Sequence, residues 1–277
     1  MKIVKPSFEI WEDENPLKIV EKCARLCYKS EDKITEDSYK RFCLARFKEK
    51  HYAIFEHANF VFSAGNEFFR DTLISVFQNL YGIVYEIGAR RTVFTLNLRH
   101  IFELCDEGCF ILYNILPETC QIFYNDGHIP LKYSPDKVRL ERESDKERFV
   151  FKTVKLSCQR AIWDELARHR KMALCCESSR YVKYDDVEFG DDVGHVAKWC
   201  PNILKRLEED YLMLRETFSC PAQTARYILP LGYNVNCVMT ASLEQWKHIF
   251  EMRTSKAAHP DMQKLMKGLK NEMQTRL

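Results

Sequence analysis

The residues best suited to chemistry lie in one short segment, Arg168–Tyr181, with the sequence RHRKMALCCESSRY. Arginine keeps its charge at every working pH, and its planar fork matches phosphate oxygens two at a time. The hydroxyls of Ser178 and Ser179 add hydrogen-bond donors. The segment therefore predicts an anion-binding loop, although a solvated helix end would also collect cations. Its cations are Arg168, Arg170, Lys171 and Arg180, and its acid is Glu177.

Two thiols in the same segment, Cys175 and Cys176, are candidate nucleophiles because neighbouring cations lower a thiol pKa. Ser178 is a weaker candidate, since the sequence places no histidine–acid pair beside it. The chain has 12 cysteines, but none forms the paired Cys-x2-Cys motif typical of zinc sites. Cys23 and Cys27 fall on the apolar face of a predicted helix, so we interpret them as buried thiols and expect no metal site.

Local patterns predict the elements that must position these residues. Asn15-Pro16 has the form of a helix N-cap followed by proline at the first helical position. Ser242 and Gln245 have the spacing of a capping box at the start of another helix. The apolar, aromatic run 51–62 ends in Ser-Ala-Gly, which favours a buried strand. Further helices are predicted from Thr35, Asn66, Cys158, Pro201 and Pro260, and further strands near 83–87, 92–96 and 234–240.

Helices with a few strands in non-alternating order are typical of the α+β class. The stretch Asn125–Arg148 interrupts the pattern, because Asn125-Asp126-Gly127 is a turn signal, two prolines follow, and the rest is mostly charged. We therefore predict a solvated loop there. Apolar residues resume at once from Phe149, so we expect one domain over residues 1–277 that carries a long insertion.

Composition excludes several classes of protein. The 277 residues are 46% hydrophobic, enough for a substantial core, and 42 Lys+Arg against 40 Asp+Glu leave a net charge of +2. Such balance argues against a surface that binds nucleic acid. No apolar run is long enough to span a membrane, and the first residues carry acids where a secretory signal needs an apolar region. We therefore expect a cytoplasmic protein that contacts neither nucleic acid nor membrane.

The segment Arg168–Tyr181 resembles the signature of the flavin-dependent thymidylate synthases. That signature is Arg-His-Arg, seven residues and Ser, usually followed by Arg-Tyr, and Ser178 stands at this spacing from Arg170. Near the start, CARLCYKS is similar to the family's Arg-x-Cys-Tyr-x-Ser run. His51 with Phe55-Glu56-His57 is similar to its "His … Glu-His" strand entry.

The later part of the chain resembles the same family. Residues 225–230, ARYILP, are similar to its Ala-Arg-x-x-Leu-Pro motif, and a predicted helix ends at Arg253 before Ala258-His259-Pro260. The resemblance covers roughly 1–62 and 149–275. It leaves residues 63–148, the long insertion, without a counterpart in the compact members.

This resemblance implies an α+β fold with a mixed sheet flanked by helices, and a specific reaction. The family converts dUMP to dTMP, with a methylene from 5,10-methylenetetrahydrofolate and a hydride from reduced FAD, which NADPH usually reduces. No enzyme thiolate is thought to add to the ring. Instead, a guanidinium stabilises charge that develops around N3 of uracil, and the matching residue here is Arg253. Family members are homotetramers whose active sites combine residues of several subunits.

The resemblance also implies two sets of binding residues. The positions that match dUMP contacts are Glu165, Arg168, Glu177, Ser178, Ser179, Arg180, Arg226 and Arg253. The positions that match FAD contacts are Asn59, Arg168, His169, Arg170, Cys176, Ser242, Leu243, Glu244 and His248.

Four of these positions depart from the common family residue. Glu165 replaces Gln, and its carboxylate would repel a phosphate unless it faces the sugar or a neighbouring arginine. Cys176 replaces Glu, and Ser242 and Glu244 replace Asn and Arg, which changes the expected FAD contacts. The alternative to an enzyme is therefore a catalytically silent relative that holds a nucleotide or RNA through the same cations.

Overall fold

The computed structural model describes residues 2–77, 83–108, 112–123, 138–141, 146–190, 199 and 202–275. The predicted α+β class is confirmed. The strands lie in two antiparallel four-stranded sheets and one parallel pair, whereas the sequence had predicted one mixed sheet. The strands are β1 (Lys2–Val4), β2 (Ser7–Trp11), β3 (Asn59–Gly65), β4 (Tyr85–Ile87), β5 (Arg91–Asn97), β6 (Val138–Glu141), β7 (Phe151–Gln159), β8 (Ala173–Cys176), β9 (Glu188–Gly190) and β10 (Asn234–Ser242).

Helices cover the sheets, and several short helical turns connect them. The main helices are α1 (Pro16–Cys27), α2 (Ser38–Lys48), α3 (Leu98–Asp106), α4 (Arg160–Leu166), α5 (Ile203–Leu212), α6 (Leu243–Arg253) and α7 (Pro260–Thr275). The segment 66–77 is also helical, with a π-helical turn at Phe69–Leu73. Within the described part of the chain, no helix is long and apolar enough to cross a bilayer.

The first sheet, in the order β2-β7-β10-β8, carries the predicted signature. Its central strand β10 is buried along almost its whole length because both faces are covered. Cys237 and Met239 point into the core beneath Trp246 of α6, whereas Val238 packs with Cys23 of α1. A strand buried on both faces favours a continuous apolar run, which β10 has over Cys237–Met239.

The second sheet, in the order β4-β5-β3-β6, packs over an aromatic core. The rings of Phe55, Phe102 and Phe123 meet edge to face at centroid distances of 4.8 to 5.5 Å, the arrangement that aromatic quadrupoles favour. Helix α1 joins the two cores, since Leu17 packs under this sheet while Leu26 packs under the first. Three of the four strands come from the predicted insertion, residues 63–148.

Several local predictions are confirmed. Asn15 caps α1, because its side chain accepts a hydrogen bond from the Leu17 amide at 3.0 Å. Ser242 caps α6 by accepting from the Gln245 amide at 3.2 Å. The strand predicted near 234–240 is β10, and α7 begins at Pro260 as predicted.

Other local predictions are wrong. The run 51–62 is not one strand, because Tyr52–His57 forms a 3₁₀ turn and the strand begins at Asn59. An apolar run alone cannot distinguish a strand from a buried helical turn. The loop predicted over 125–148 contains β6, which pairs with β3; its residues 125–137 and 142–145 lie outside the described part. The division into one domain with an insertion stays a prediction.

Candidate active site

Arg253, the last residue of α6, lies against the predicted signature. Its Nε atom donates to His169 Nε2 at 2.9 Å, and its Nη1 atom donates to Glu165 Oε2 at 2.9 Å. The Nη2 atom donates to the Glu165 carbonyl oxygen at 2.7 Å. Three partners in fixed directions orient the guanidinium, as its planar fork requires. We call Glu165, His169 and Arg253 the Arg253 cluster.

The fold brings these three residues together through the first sheet. Helix α4 ends at Leu166, and the His169 amide donates to the Leu166 carbonyl at 3.0 Å, so the chain turns directly after the helix. It then enters β8, which pairs with β10, and β10 leads through Ser242 into α6. The far end of α6 thereby returns to the turn after α4.

His169 is the neutral partner in the Arg253 cluster. Burial lowers the pKa of His169 to about 4, and the neighbouring Arg253 and His248 act in the same direction. The His248 ring lies 5.9 Å from the His169 ring, nearly perpendicular to it. A neutral imidazole can accept the Arg253 Nε–H, whereas a protonated one could only donate.

The residues after β8 form a loop, Glu177–Arg180, whose ends are tied to other elements. The Ser178 amide donates to the Cys27 carbonyl at the end of α1, at 2.8 Å. The Ser178 carbonyl accepts from the amides of Tyr181 and Val182. Ser179 is buried, whereas Arg180 is exposed. We call this segment the 177–180 loop.

The cations of the signature are free to meet an anion. Within the residues that the structure describes, none of them forms an ion pair, and all are exposed. Unpaired guanidinium and ammonium groups clustered on one surface attract phosphate or carboxylate ligands. Their exposure agrees with an anion-binding surface and equally with a solvated helix end, because Arg168–Lys171 follows the end of α4. The four are Arg168, Arg170, Lys171 and Arg180.

A cavity of about 420 Å³ lies between the two sheets. Four residues predicted for FAD line it: Asn59 begins β3 of the second sheet and pairs with Asn97, and the other three line the wall formed by the first sheet region. Phe151, Met172 and Thr240 of the first sheet region complete that wall. The opposite wall comes from the predicted insertion, through Thr95, Asn97, Arg99, His100 and Glu103. The four predicted residues are Asn59, Arg170, Ser242 and Glu244.

Several charged side chains around this cavity form ion pairs. Arg99 joins two carboxylates, with Nη1 at 2.6 Å from Glu56 Oε1 and Nε at 2.8 Å from Glu103 Oε1. Glu244 is held by Arg148 at 2.8 Å. The insertion wall is therefore polar with its charges paired, while Arg170 on the opposite wall is unpaired among the described residues.

The two candidate thiols do not suit nucleophilic attack. Cys175 and Cys176 lie in β8, and Cys175 is buried. Its hydrogen bond with Cys27 and its burial raise the pKa of Cys175 well above the usual value, and burial likewise raises the pKa of Cys176. A thiol is nucleophilic as its thiolate, so a raised pKa makes both thiols unreactive.

His57, from the Phe55-Glu56-His57 run that resembles the family motif, is buried against the first sheet. Its Nδ1 atom lies 2.7 Å from the Thr240 hydroxyl, which is 2.8 Å from that of Thr153. Burial lowers the pKa of His57 to about 3, so the ring is neutral. His57 and Thr240 line a second cavity, beside Trp11, and His57 is not among the residues that line the cavity between the sheets.

Three further predicted residues are Arg226, Leu243 and Glu177. Arg226 is half-buried, and its guanidinium lies 5.7 Å from the centre of the Tyr227 ring. Among the described residues, no hydrogen bond or ion pair joins it to Arg253 or to the 177–180 loop. Leu243, the first residue of α6, is buried, and Glu177 at the start of the 177–180 loop is buried as well. No group of three or more potential metal ligands occurs in the described ranges.

Sequence reasoning missed four residues that the structure brings into ion pairs. Arg99 and Glu103 have the spacing of an ion pair on one helix face, but no helix was predicted at 98–106. Glu56 lay inside the quoted Phe55-Glu56-His57 run and was not given a role. Lys29 lay inside CARLCYKS, where the motif left its position open.

Exposed cations of the signature segment thus lie beside a polar cavity on an α+β scaffold. The family model described as "Thymidylate synthase complementing protein" matches residues 138–277, half of the chain. The chain therefore belongs to the thymidylate synthase complementing protein family, also called ThyX. The resemblance seen in the sequence is thereby confirmed at the level of the family. No curated protein matches the sequence.

Solved structures that match the chain include a thymidylate synthase X from Helicobacter pylori, determined with FAD and dUMP. It shares 20% identity over 43% of this chain and 65% of that chain, with a TM-score of 0.34. The match thus spans slightly less than two thirds of the Helicobacter protein. A UMP/dUMP methylase, PolB, from Streptomyces cacaoi, bound with 5-Br UMP, shares 11% identity over 99% of this chain and 92% of that chain, with a TM-score of 0.45.

Proposed function

We propose that the protein methylates dUMP to dTMP, with 5,10-methylenetetrahydrofolate as carbon donor and reduced FAD as hydride donor. NADPH reduces the flavin in this proposal. The products are dTMP, tetrahydrofolate and oxidised FAD, so carbon and hydrogen balance. The observation that carries the proposal is the Arg253 cluster, because it holds a guanidinium against the family signature.

Arg253 is the catalytic residue in this proposal. Carbon 5 of uracil must become nucleophilic, and negative charge then develops on N3 and its neighbouring carbonyl oxygens. A guanidinium already oriented by His169 and Glu165 stabilises that charge without reorganising. The Glu165 carboxylate is paired with Arg253. Because its charge is balanced by that cation, it need not repel the phosphate of the substrate.

The phosphate of dUMP is bound by the exposed cations of the signature and by the hydroxyls of the 177–180 loop. Arg168 and Arg180 supply charge, and Ser178 and Ser179 supply hydrogen-bond donors. Arg226 has no described contact with this loop within one chain, so we infer that a neighbouring subunit brings it there. This arrangement requires the homotetramer that the family resemblance implies.

The cavity between the sheets fits part of a flavin dinucleotide. Its walls carry amide and hydroxyl groups that can form hydrogen bonds with a heteroaromatic ring, and the unpaired Arg170 can bind a diphosphate. The Ser242 hydroxyl accepts a hydrogen bond from the Gln245 amide and can still donate a hydrogen bond of its own. Asn59, Ser242 and Glu244 would hold FAD together with Arg168, His169, Arg170, Cys176, Leu243 and His248. When bound, FAD supplies the hydride.

The decisive experiment follows flavin and product together. The purified protein should bind FAD, lose its yellow colour when NADPH is added anaerobically, and then form dTMP from dUMP and methylenetetrahydrofolate. A protein that binds dUMP but never retains or reduces FAD would instead be the silent nucleotide-binding relative.

Arg180→Ala tests the nucleotide site. Because Arg180 is exposed and unpaired among the described residues, its loss should weaken dUMP binding about tenfold without lowering thermal stability. Titration of dUMP into the oxidised protein measures the Kd. An unaltered Kd would remove Arg180 from the site.

A further inference from the structure

The 177–180 loop is attached to the first sheet and to the end of α1. The Glu177 amide donates to the Asn236 carbonyl of β10 at 2.8 Å, and the next amide, that of Ser178, donates to the Cys27 carbonyl at 2.8 Å. Two consecutive amides are thus held by two different elements. The position of Arg180, two residues later, depends on both attachments.

A buried carboxylate lies beneath this loop. Glu177 Oε2 accepts from the Asn236 backbone amide at 3.2 Å and from its side-chain amide at 3.1 Å. Glu177 Oε1 lies 3.0 Å from Lys29 Nζ, and only 1% of the Glu177 side chain is exposed. Since a buried charge needs a partner, the Lys29 ammonium is what makes an ionised Glu177 tolerable there.

The backbone of Lys29 is held in an unusual conformation. Its φ of 47° is in the left-handed region, at the residue that follows the C-cap of α1. The Lys29 amide donates to Leu26 and the Ser30 amide donates to Arg25, which is the Schellman pattern. Glycine is strongly favoured at this position, because a Cβ is unfavourable there.

The left-handed backbone alone does not single out Lys29, because Lys50 at the end of α2 has a φ of 57° and the same pattern of amide bonds. What distinguishes Lys29 is the position of its ammonium group. The Lys29 ammonium lies 4.6 Å from the centre of the Tyr184 ring, a cation–π geometry. Tyr184 is itself buried, and burial together with the Glu177 charge raises its pKa. The side chain therefore bridges the end of α1, the buried carboxylate and the segment after the loop.

We propose that Lys29 is a positioning residue for the nucleotide phosphate: it neutralises Glu177 and so fixes the loop that presents Ser178, Ser179 and Arg180. This inference rests on the proposed function for the identity of the ligand. It also gives Glu177 a framework role beneath the loop instead of a contact with dUMP.

The first experiment compares three variants in the full-length protein. Lys29→Met should raise the Kd for dUMP about tenfold and raise KM more than it lowers kcat, since binding geometry is lost. Lys29→Arg keeps the charge and should stay within about twofold of the wild type. Lys40→Met is the matched control, because Lys40 also pairs with an acid, Asp37, and approaches a tyrosine ring, but on the exposed helix α2.

The second experiment observes the loop without any nucleotide. In Lys29→Met, the Ser178 amide should exchange with deuterium faster and trypsin should cleave sooner after the exposed Arg180, because the loop loses its attachment. Lys29→Gly removes the charge but suits the left-handed backbone. It should therefore loosen the loop while the protein remains at least as stable to urea as Lys29→Met.

A double variant separates positioning from direct contact. Lys29→Met with Glu177→Gln removes both charges and should recover much of the dUMP affinity that Lys29→Met loses. If Glu177 contacted the nucleotide itself, the double variant would bind worse than either single variant, and the inference would be wrong.

These measurements distinguish the inference from the proposed function. If wild-type protein does not bind dUMP but the loop still loosens in Lys29→Met, the proposed ligand is wrong and the positioning role stands. If wild-type protein binds dUMP and Lys29→Met binds it equally, with the loop unchanged, the positioning role is overturned.

Discussion

Two ion pairs flank the signature segment, and they distribute burial in opposite ways. In the Arg253 cluster the guanidinium side chain is only 17% exposed, while its partner Glu165 is 40% exposed. Beneath the 177–180 loop the carboxylate is the buried member, and Lys29 is 45% exposed. In the Arg253–Glu165 pair the cation is therefore the more buried member, and its acid faces solvent. In the Lys29–Glu177 pair the acid is buried, and its cation faces solvent.

This difference matters because the strength of a charge–charge interaction depends on its surroundings. The half-exposed carboxylate of Glu165 is screened by water and can give way to an anionic ligand at small cost. A fully buried carboxylate has no such freedom and must keep its partner. We therefore assign reaction chemistry to Arg253 and framework support to Glu177, and four predictions test this contrast.

The largest effect is expected for Arg253→Ala. It removes the guanidinium that we propose stabilises charge on uracil, so dTMP formation should fall about 100- to 1000-fold. FAD content should fall only modestly, because the cavity residues remain. Arg253→Lys should not restore activity, since one ammonium cannot reach all three partners. Single-turnover dTMP assays would check this, and unchanged turnover would exclude Arg253 from the mechanism.

Matched substitutions of the two glutamates compare the pairs directly. Glu177→Gln should lower the free energy of unfolding by about 1–3 kcal/mol, because it breaks a buried network. Glu165→Gln, at a half-exposed site, should lower it by less than about 1 kcal/mol. Urea denaturation of both variants gives the comparison. Equal losses would mean that burial does not separate the two pairs.

Acid should affect the Arg253 cluster through His169. The pKa of His169 is about 4 in the folded protein, below the usual value of about 6.5 for an unfolded chain. The unfolded state therefore binds more protons between these values, so stability falls as the pH is lowered from about 6.5 towards 4. His169→Gln should reduce this slope. In Arg253→Ala, NMR titration should show the His169 pKa rising.

The smallest effect is expected for the β8 thiols. At saturating FAD, which offsets the FAD contact proposed for Cys176, Cys175→Ala with Cys176→Ala should leave dTMP turnover within about twofold, because neither thiol is poised to ionise. A loss of stability of about 1–2 kcal/mol is expected from the buried sulfur of Cys175. Turnover and urea unfolding measured on one preparation would separate the two effects. Loss of turnover with dUMP binding intact would instead identify a thiolate nucleophile.

The ends of several elements could be predicted from the sequence, because caps and periodicity act over a few residues. Asn15 begins α1, Ser242 begins α6, and β10 stands where an apolar run indicated it. The signature spacing likewise indicated the family. The roles of Arg168, Arg180 and Arg226 toward dUMP stay predictions, as do the FAD contacts.

Amino-acid order alone thus determined the α+β class, the helix caps and the family, since each depends on neighbours along the chain. Only the tertiary structure decided which charges meet. Glu165 with Arg253, Glu177 with Lys29, and Glu56 with Arg99 are pairs far apart in sequence. Their partners are set by strand register and by packing between sheets and helices, which no local pattern specifies.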